Sequence, residues 1–377
     1  MKEESEPPMP FVLIVLAFDA YLVFSWLGAF WSETPSLFWL AFSFLQLLIA
    51  TQLWLYFFFF QSEAEDSVRF ESPLRNTAFH AMGFISFLFS FTFFRDVLGL
   101  AALTIGKANV FYGIGPSRFI FGLSIAAYVI GFFNAKFRVE TPRIVVPIAD
   151  LPHSLKGIRI VQLSDMHLGT GPNAAQIAKL VDQALALKPD IITLTGDIFD
   201  GMIADLTLEL KDLARLSAPF GVYFVLGNHE CYWNWQESVA KVKELGFIPL
   251  LNDGVTVKIK DEEVFIAGLT DPAAATTGGV GPVVPIPPQS SKLNVMLVHQ
   301  PQLAKLVSQH PYHLQLSGHT HGGQFFPWNL AVKRIYPISG GLGKDGNLWV
   351  YVSHGSGYWG PPIRLGTLGE VTELIFE

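Results

Sequence analysis

Five short words recur in order down the second half of this 377-residue chain: Ser164-Asp165-Met166-His167, Gly196-Asp197, Gly227-Asn228-His229-Glu230, a lone His299 behind an apolar run, and Gly318-His319-Thr320-His321. Hard oxygen and imidazole donors, delivered one or two at a time, are what a two-metal hydrolytic site needs. Asp165 and His167 stand two apart where the chain leaves a strand, so both can bend to one cation. The carboxylate of Asp197 has two oxygens and can bridge two cations about 3.5 to 4 Å apart, a spacing suited to in-line displacement at phosphorus. Asn228 offers a neutral carbonyl oxygen; His299 and His319 can complete the second metal, and His321 the first.

Charge supports this assignment. Two divalent cations outweigh Asp165, Asp197 and a bridging hydroxide, leaving a positive surplus that attracts a phosphate anion. Neutral Asn and His ligands preserve that surplus, and the metals lower the pKa of bound water, so no side-chain nucleophile is required. His229, beside Asn228, is the candidate donor of a proton to the departing oxygen. Its plainer role would be to orient Asn228.

Such residues need strand ends to carry them. A strand over 157–163 runs into the first word, a buried strand over 191–195 into the second, and a strand over 222–226 into the third. Helical patterns over 173–187 and 206–216 alternate with them, an α/β signature. After a helix at 237–245 the rhythm changes to short strands at 255–259, 264–269, 294–298, 314–316, 348–353 and 371–376, which calls for a second sheet packed face to face on the first, with helices outside. Residues 273–291, rich in Gly, Pro and Ala, read as a mobile loop.

The first third is different. Hydrophobic residues make up 50% of the chain and mean hydropathy is +0.38, with the excess at the N-terminus. Segments 10–31, 37–60, 78–94 and 119–133 predict about four membrane helices in a region 1–135, followed by a proline-bearing connector 136–156 and a catalytic domain 157–377. The acidic start (Glu3, Glu4, Glu6) argues against a cleavable signal peptide. With four spans, Lys2, Arg69, Arg75, Lys136, Arg138 and Arg143 share one side against Arg95, Lys107 and Arg118, which favours a cytoplasmic catalytic domain in a cell (inner) membrane; a fifth span from 97–105 would reverse it. Asp19, inside the first span, is either a partner for a headgroup or helix or a carboxyl near the interface. Formal charge is -7 without a basic cluster, so nucleic acid is disfavoured as substrate. Cys231 is the single cysteine, which rules out an intramolecular disulfide and reads as a small residue beside a loop. Nothing specifies a protein partner.

The words D-x-H, GD, GNH(D/E), H and GHxH together resemble the calcineurin-like metallophosphoesterase superfamily. The longer strings Leu194-Thr195-Gly196-Asp197, Leu316-Ser317-Gly318-His319-Thr320-His321-Gly322-Gly323-Gln324 and Trp359-Gly360-Pro361-Pro362-Ile363-Arg364-Leu365-Gly366 are similar to its membrane-associated bacterial branch, typified by YkuE and the transmembrane protein with a metallophosphoesterase domain. The resemblance implies a four-layer αββα sandwich behind an all-α membrane bundle. It also implies two divalent transition metals, manganese first, with iron, zinc and cobalt open, and the roles given above for Asp165, His167, Asp197, Asn228, His229, His299, His319 and His321. The arginines of the protein-phosphatase words GDxxDRG and RGNHE are missing, which steers away from phosphoproteins; Lys333, Arg334 and Arg364 are substitutes for them or solvated surface groups. The reading is a membrane phosphoesterase for a phosphodiester or pyrophosphate of an amphiphilic or nucleotide-lipid substrate, with UDP-2,3-diacylglucosamine in lipid A synthesis as the candidate relatives imply. Its alternatives are an outward-facing enzyme on envelope phospholipid or cell-wall phosphate, and a non-enzymatic scaffold with a structural metal.

Overall fold

The computed structural model describes residues 9–61 and 73–377, which divide into two units: one of Met1–Phe132 with Pro361–Ile363, the other of Phe133–Gly360 with Arg364–Glu377.

The first unit is helical. Its helices are Met9–Leu22, continued by a π turn Val23–Leu27 and by Gly28–Glu33, then Pro35–Gln61, Pro73–Leu103 and Ile114–Phe137. Three stretches among the described residues are long and apolar enough to cross a membrane: Pro35–Trp54, Leu74–Leu103 and Ile114–Phe137. The expected first span contributes a shorter apolar helix, Val12–Leu27. The span expected over 78–94, with an extension into 97–105 left open, continues through Arg95 and Asp96 to Leu103, because those charges find partners and do not break the helix. Arg95 Nη2 lies 2.7 Å from Asp96 Oδ1 and donates to the Ser25 carbonyl at 2.9 Å, while the Tyr21 hydroxyl donates to Asp96 at 2.7 Å. That same helix absorbs residues 97–103, leaving no separate fifth span among the described residues. Asp19 pairs with a helix neighbour, accepting from Gln46 Nε2 at 2.9 and 3.1 Å. Pairing charged groups such as these within the unit is what an apolar medium demands. Lys2, Arg69 and the acidic start lie outside the described residues.

The second unit has two six-stranded sheets. One runs in the order Arg143–Val146, Thr372–Phe376, Arg159–Leu163, Ile191–Thr195, Val222–Val225, Ile248–Pro249; the other Gly341–Asp345, Leu348–Val352, Leu314–Ser317, Leu293–Leu297, Glu262–Gly268, Asp253–Ile259. Segment 136–156, expected as a connector, thus supplies an edge strand, parallel to Thr372–Phe376. Its apolar run, Ile144-Val145-Val146, is too short to announce a strand without that partner.

Alternate residues along the strands sort into layers. Ile160, Ile191, Val225 and Leu374 of the first sheet meet Ile266, Val295, Leu297 and Leu316 of the second in one buried core. On the outer face of the first sheet Val161, Leu163, Ile192 and Leu194 pack on Ile177, Leu180 and Val181 of the helix Ala174–Ala186 and on Val239 and Val242 of Trp235–Glu244. Outside the second sheet Met296, Val298 and Val350 meet Val307 and Tyr312. This is the αββα sandwich expected. The helix Ala174–Ala186 starts where Asn173 and Gln176 cap each other reciprocally, satisfying two of the otherwise orphaned N–H groups. Residues 273–291 are not loose: a 3-10 turn, Pro272–Thr277, opens them, Val283 N–H donates to Asn252 at 3.0 Å, and the Tyr312 hydroxyl holds the Pro285 carbonyl at 2.9 Å.

Candidate metal centre

Strands 159–163, 191–195 and 222–225 are mutually parallel, as are 293–297 and 314–317, so five carboxyl ends deliver their words to one edge of the double sheet. The chain must turn abruptly at each end. Asp165, His167, Asp197, His319 and His321 all take positive φ, between 49 and 70°. Such backbone is uncommon outside glycine, and its concentration in five chemical residues marks a place where geometry is held against local preference. Two glycines make the approach possible. A Cβ on Gly196 would strike the His299 ring, and one on Gly318 would strike Ser164 and the Asp165 carboxylate.

The side chains gather in overlapping groups whose ligand atoms lie within 4.8 Å of one another: Asp165, His167 and His321; His167, Asp197 and His229; Asp197, His299 and His319. Asp197 is the hub. Its Oδ2 lies 3.1 Å from His299 Nε2 and 4.0 Å from the Nε2 atoms of both His167 and His229, while its Oδ1 accepts the His229 backbone N–H at 2.9 Å. Asp165 Oδ1 stands 3.4 Å from His321 Nε2 and accepts the His319 N–H at 2.9 Å. Seven of the eight residues singled out in the sequence, all but Asn228, fall in these groups, and Asn228 opens the helix Asn228–Trp233 immediately before His229.

These residues fit a pair of cations on three observations. His299 Nδ1 is 2.8 Å from the Thr195 carbonyl, which can only accept, so a ring proton sits there and Nε2 is left facing Asp197 Oδ2, 3.1 Å away. That pair of atoms calls for positive charge between them, a proton or a metal ion. Second, burial opposes a charge on His299, yet the Asp197 and Asp165 carboxylates raise its affinity for a proton well above the ordinary imidazole range. Third, Asn228 Oδ1 is buried without a hydrogen-bond partner, and such orphans cost about 1 to 3 kcal/mol unless something takes the lone pair.

Electrostatics keep the donors available. Burial pushes His319 down to about 4, aided by His299, and holds His321 well below the usual range with His167 and Arg364; both are neutral imidazoles with lone pairs to give. For Asp197 burial works upward, but His299 and His229 outweigh it and leave the carboxyl ionised, whereas burial raises Asp165.

The roles of two residues escaped the sequence reading. Asp200, buried, accepts from His229 Nδ1 at 2.8 Å and Trp233 Nε1 at 2.9 Å through one oxygen, and from His167 Nδ1 at 3.2 Å and the Thr170 hydroxyl through the other. It thereby fixes the tautomers of two site histidines. Its position three past Asp197 was visible in the sequence, but which histidines it would meet was not. Glu230 accepts four backbone N–H groups, from Gly227, Asp197, Ile198 and Phe199 at 2.7 to 3.0 Å, tying the second word to the third. Arg364, weighed as a phosphate contact or surface group, is neither: it is 1% exposed and donates to the carbonyls of Gly357, His354 and Leu368, with Nη2 3.3 Å from His321 Nδ1. Lys333 and Arg334 are exposed in the last turn of the helix Trp328–Ile335. Cys231 is buried in the core, where burial pushes its thiol up to about 12.

Parallel strand ends, a double sheet and clustered Asp, Asn and His define a metal-dependent phosphoesterase domain, and comparison with known proteins agrees. Residues 158–323 match the family described as calcineurin-like phosphoesterase. The chain is 33% identical over 267 residues to a transmembrane protein with metallophosphoesterase domain from Bos taurus, covering 66% of this chain and 60% of that protein's length. It is 30% identical over 246 residues to the metallophosphoesterase YkuE of Bacillus subtilis, covering 62% of this chain and 84% of YkuE. Among solved structures it is similar to a novel archaeal phosphodiesterase at 15% identity and a TM-score of 0.31, over 53% of this chain and 85% of that one. The chain belongs to the calcineurin-like metallophosphoesterase family. Three candidate spans and the transmembrane relative indicate a multi-pass membrane protein.

Proposed function

We propose that this protein is an integral-membrane phosphoesterase that hydrolyses a phosphodiester or pyrophosphate of an amphiphilic substrate. The observation that carries the reading is Asp197, whose carboxylate groups with His167 and His229 on one side and with His299 and His319 on the other, while His167 also belongs to the group of Asp165 and His321. Asp165, His167 and His321 would hold one divalent transition metal, Asn228, His299 and His319 the other, with Asp197 between; manganese suits this mixed O/N set, as do iron, zinc and cobalt. When bound, the metals supply Lewis acidity and an activated water.

The chain's own groups do the rest. His229 carries the proton for the departing oxygen. Burial opposes its charge, but the Asp200 and Asp197 carboxylates hold its pKa up at about 9, so it is protonated at neutral pH. Asp200 holds its Nδ1–H, aiming Nε2 into the site. Membrane-spanning helices in the same chain keep it beside lipid-borne substrate. UDP-2,3-diacylglucosamine, cleaved to its lipid monophosphate and UMP, is the specific candidate.

Purified protein loaded with manganese, assayed against a phosphomonoester, a simple diester, a pyrophosphate and UDP-2,3-diacylglucosamine, tests the reading. Turnover of diester or pyrophosphate that vanishes in Asp197→Ala supports it; none in any arm favours a scaffold. Good diester turnover without lipid monophosphate removes the lipid A candidate alone. We place the domain on the cytoplasmic side, which requires the first helix to cross as a fourth span; labelling from outside intact cells of a cysteine introduced between 273 and 291 would reverse that and favour an envelope substrate.

A further inference from the structure

Two aromatic rings crowd His229 that hydrolysis at phosphorus does not itself require. Tyr232 lies three residues on, on the same face of the short helix Asn228–Trp233, with ring centroids 5.4 Å apart. Trp359 reaches the same imidazole from a distant segment, at 5.6 Å and an interplanar angle of 66°. Both remain open to solvent, Tyr232 at 65% and Trp359 at 45%. Large aromatic surface kept in water beside a polar centre is apolar area waiting for a ligand.

Neither ring hangs on loose chain. The Gln324 side chain grips the Trp359 backbone, accepting its N–H and donating to its carbonyl, each at 3.0 Å, and Gln324 closely follows the ligand word that ends in His321. Beside Tyr232, Trp233 is tied to Asp200 at 2.9 Å, the carboxylate that also holds His229. The backbone is fixed by the site and the rings are offered outward, a preorganised surface that loses little entropy on binding.

We propose that Tyr232 and Trp359 form an aromatic seat for the leaving half of the substrate, which carries a planar aromatic group close to its departing oxygen. The proposal rests on the phosphoesterase reading, in which the oxygen of water bonds to phosphorus and the bond from phosphorus to the leaving oxygen breaks with its electron pair. That oxygen takes the His229 proton, which the proton released by water replaces. Groups flanking His229 therefore flank the leaving half. Rings at such a seat add offset or edge-on contacts worth roughly a tenfold preference apiece.

The test compares two methyl phosphodiesters whose leaving alcohols have similar acidity, one 1-naphthyl and one hexafluoroisopropyl, so that chemistry is matched and only shape differs. Manganese-loaded wild type should favour the naphthyl ester in kcat/KM, and Trp359→Leu and Tyr232→Leu should each lower that ratio roughly tenfold, with Trp359→Phe retaining most of it. Calorimetry with 1-naphthylphosphonate against methylphosphonate should show the same loss of preference in binding. Ratios within twofold of wild type in both variants and both measurements overturn the seat. If neither ester is turned over, the phosphoesterase reading fails, and the phosphonate ratio still decides the seat. A preference shown by uridine phosphonate and not by the naphthyl probe would identify a nucleobase as the aromatic group.

Discussion

Replacing Asp200 by Asn leaves shape intact and removes one acceptor, which makes the consequence calculable. The carboxylate takes four donors, two on each oxygen: His229 Nδ1 and Trp233 Nε1 on one, His167 Nδ1 and Thr170 on the other. An amide keeps one accepting oxygen and turns its NH2 on the other pair. If the oxygen stays with His229 and Trp233, His167 faces a donor and must move its proton to Nε2, the atom that lies 3.1 Å from His321 Nε2 and belongs to the first ligand group. If the amide flips, His229 meets the donor instead: its Nδ1 must accept, the remaining proton sits on Nε2, which faces Asp197, and the ring can no longer hold the second proton that makes it an acid near neutral pH. Either way one charge-assisted hydrogen bond, worth about 1.5 to 3 kcal/mol, is lost together with a correct tautomer. At about 1.4 kcal/mol per decade this is a loss of roughly 10- to 100-fold in metal affinity or in kcat/KM. Metal titration followed by elemental analysis, with kcat/KM on a chromogenic diester, separates the two cases: weakened metal retention points to His167, an unchanged metal content with lower kcat to His229. Asp200→Asn within twofold of wild type in both would refute the argument that Asp200 sets these tautomers.

Three further outcomes follow from the same geometry. Manganese at a hundred times its Kd should add about 2.7 kcal/mol to the unfolding free energy, read as a rise in Tm in detergent that chelator reverses, and no shift would mean the buried cluster does not bind the ion. Gly318→Ala drives a methyl group into Ser164 and the Asp165 carboxylate, so it should lower kcat/KM by about 10-fold or more while circular dichroism stays native; an active variant would show that this strand end can yield. Because burial raises the Cys231 thiol to about 12, the group stays protonated as pH rises through 9 and should resist iodoacetamide in the native protein while reacting on unfolding, as mass spectrometry would show; rapid native alkylation contradicts its burial.

Local pattern carried much of the metal centre into view. Each ligand word follows a buried strand, and the reach of a residue just past a strand end is a short-range property that spacing reveals. The long apolar runs were equally legible, because a membrane span is defined by length and composition. In the first of them, the apolar stretch Val12–Leu27, the helix passes through a π turn, and nothing in hydropathy announces that change of helical register. The edge strand Arg143–Val146 was read as connector for a related reason, since an edge of four residues is defined by the partner Thr372–Phe376, more than two hundred residues away.

Sequence alone, then, determined the donor set and the strand ends that carry it, because both are written within a few residues of each other. Only the tertiary structure decided that Asp197 is shared between two groups, that Asp200 answers both His167 and His229, that Arg364 is buried beside His321, and that Trp359 and Tyr232 each lie against His229. The physical reason is common to all four. They depend on how one twisted sheet packs on another and brings together segments far apart in the chain, a sum of many weak apolar contacts in the shared core that no single stretch of residues encodes.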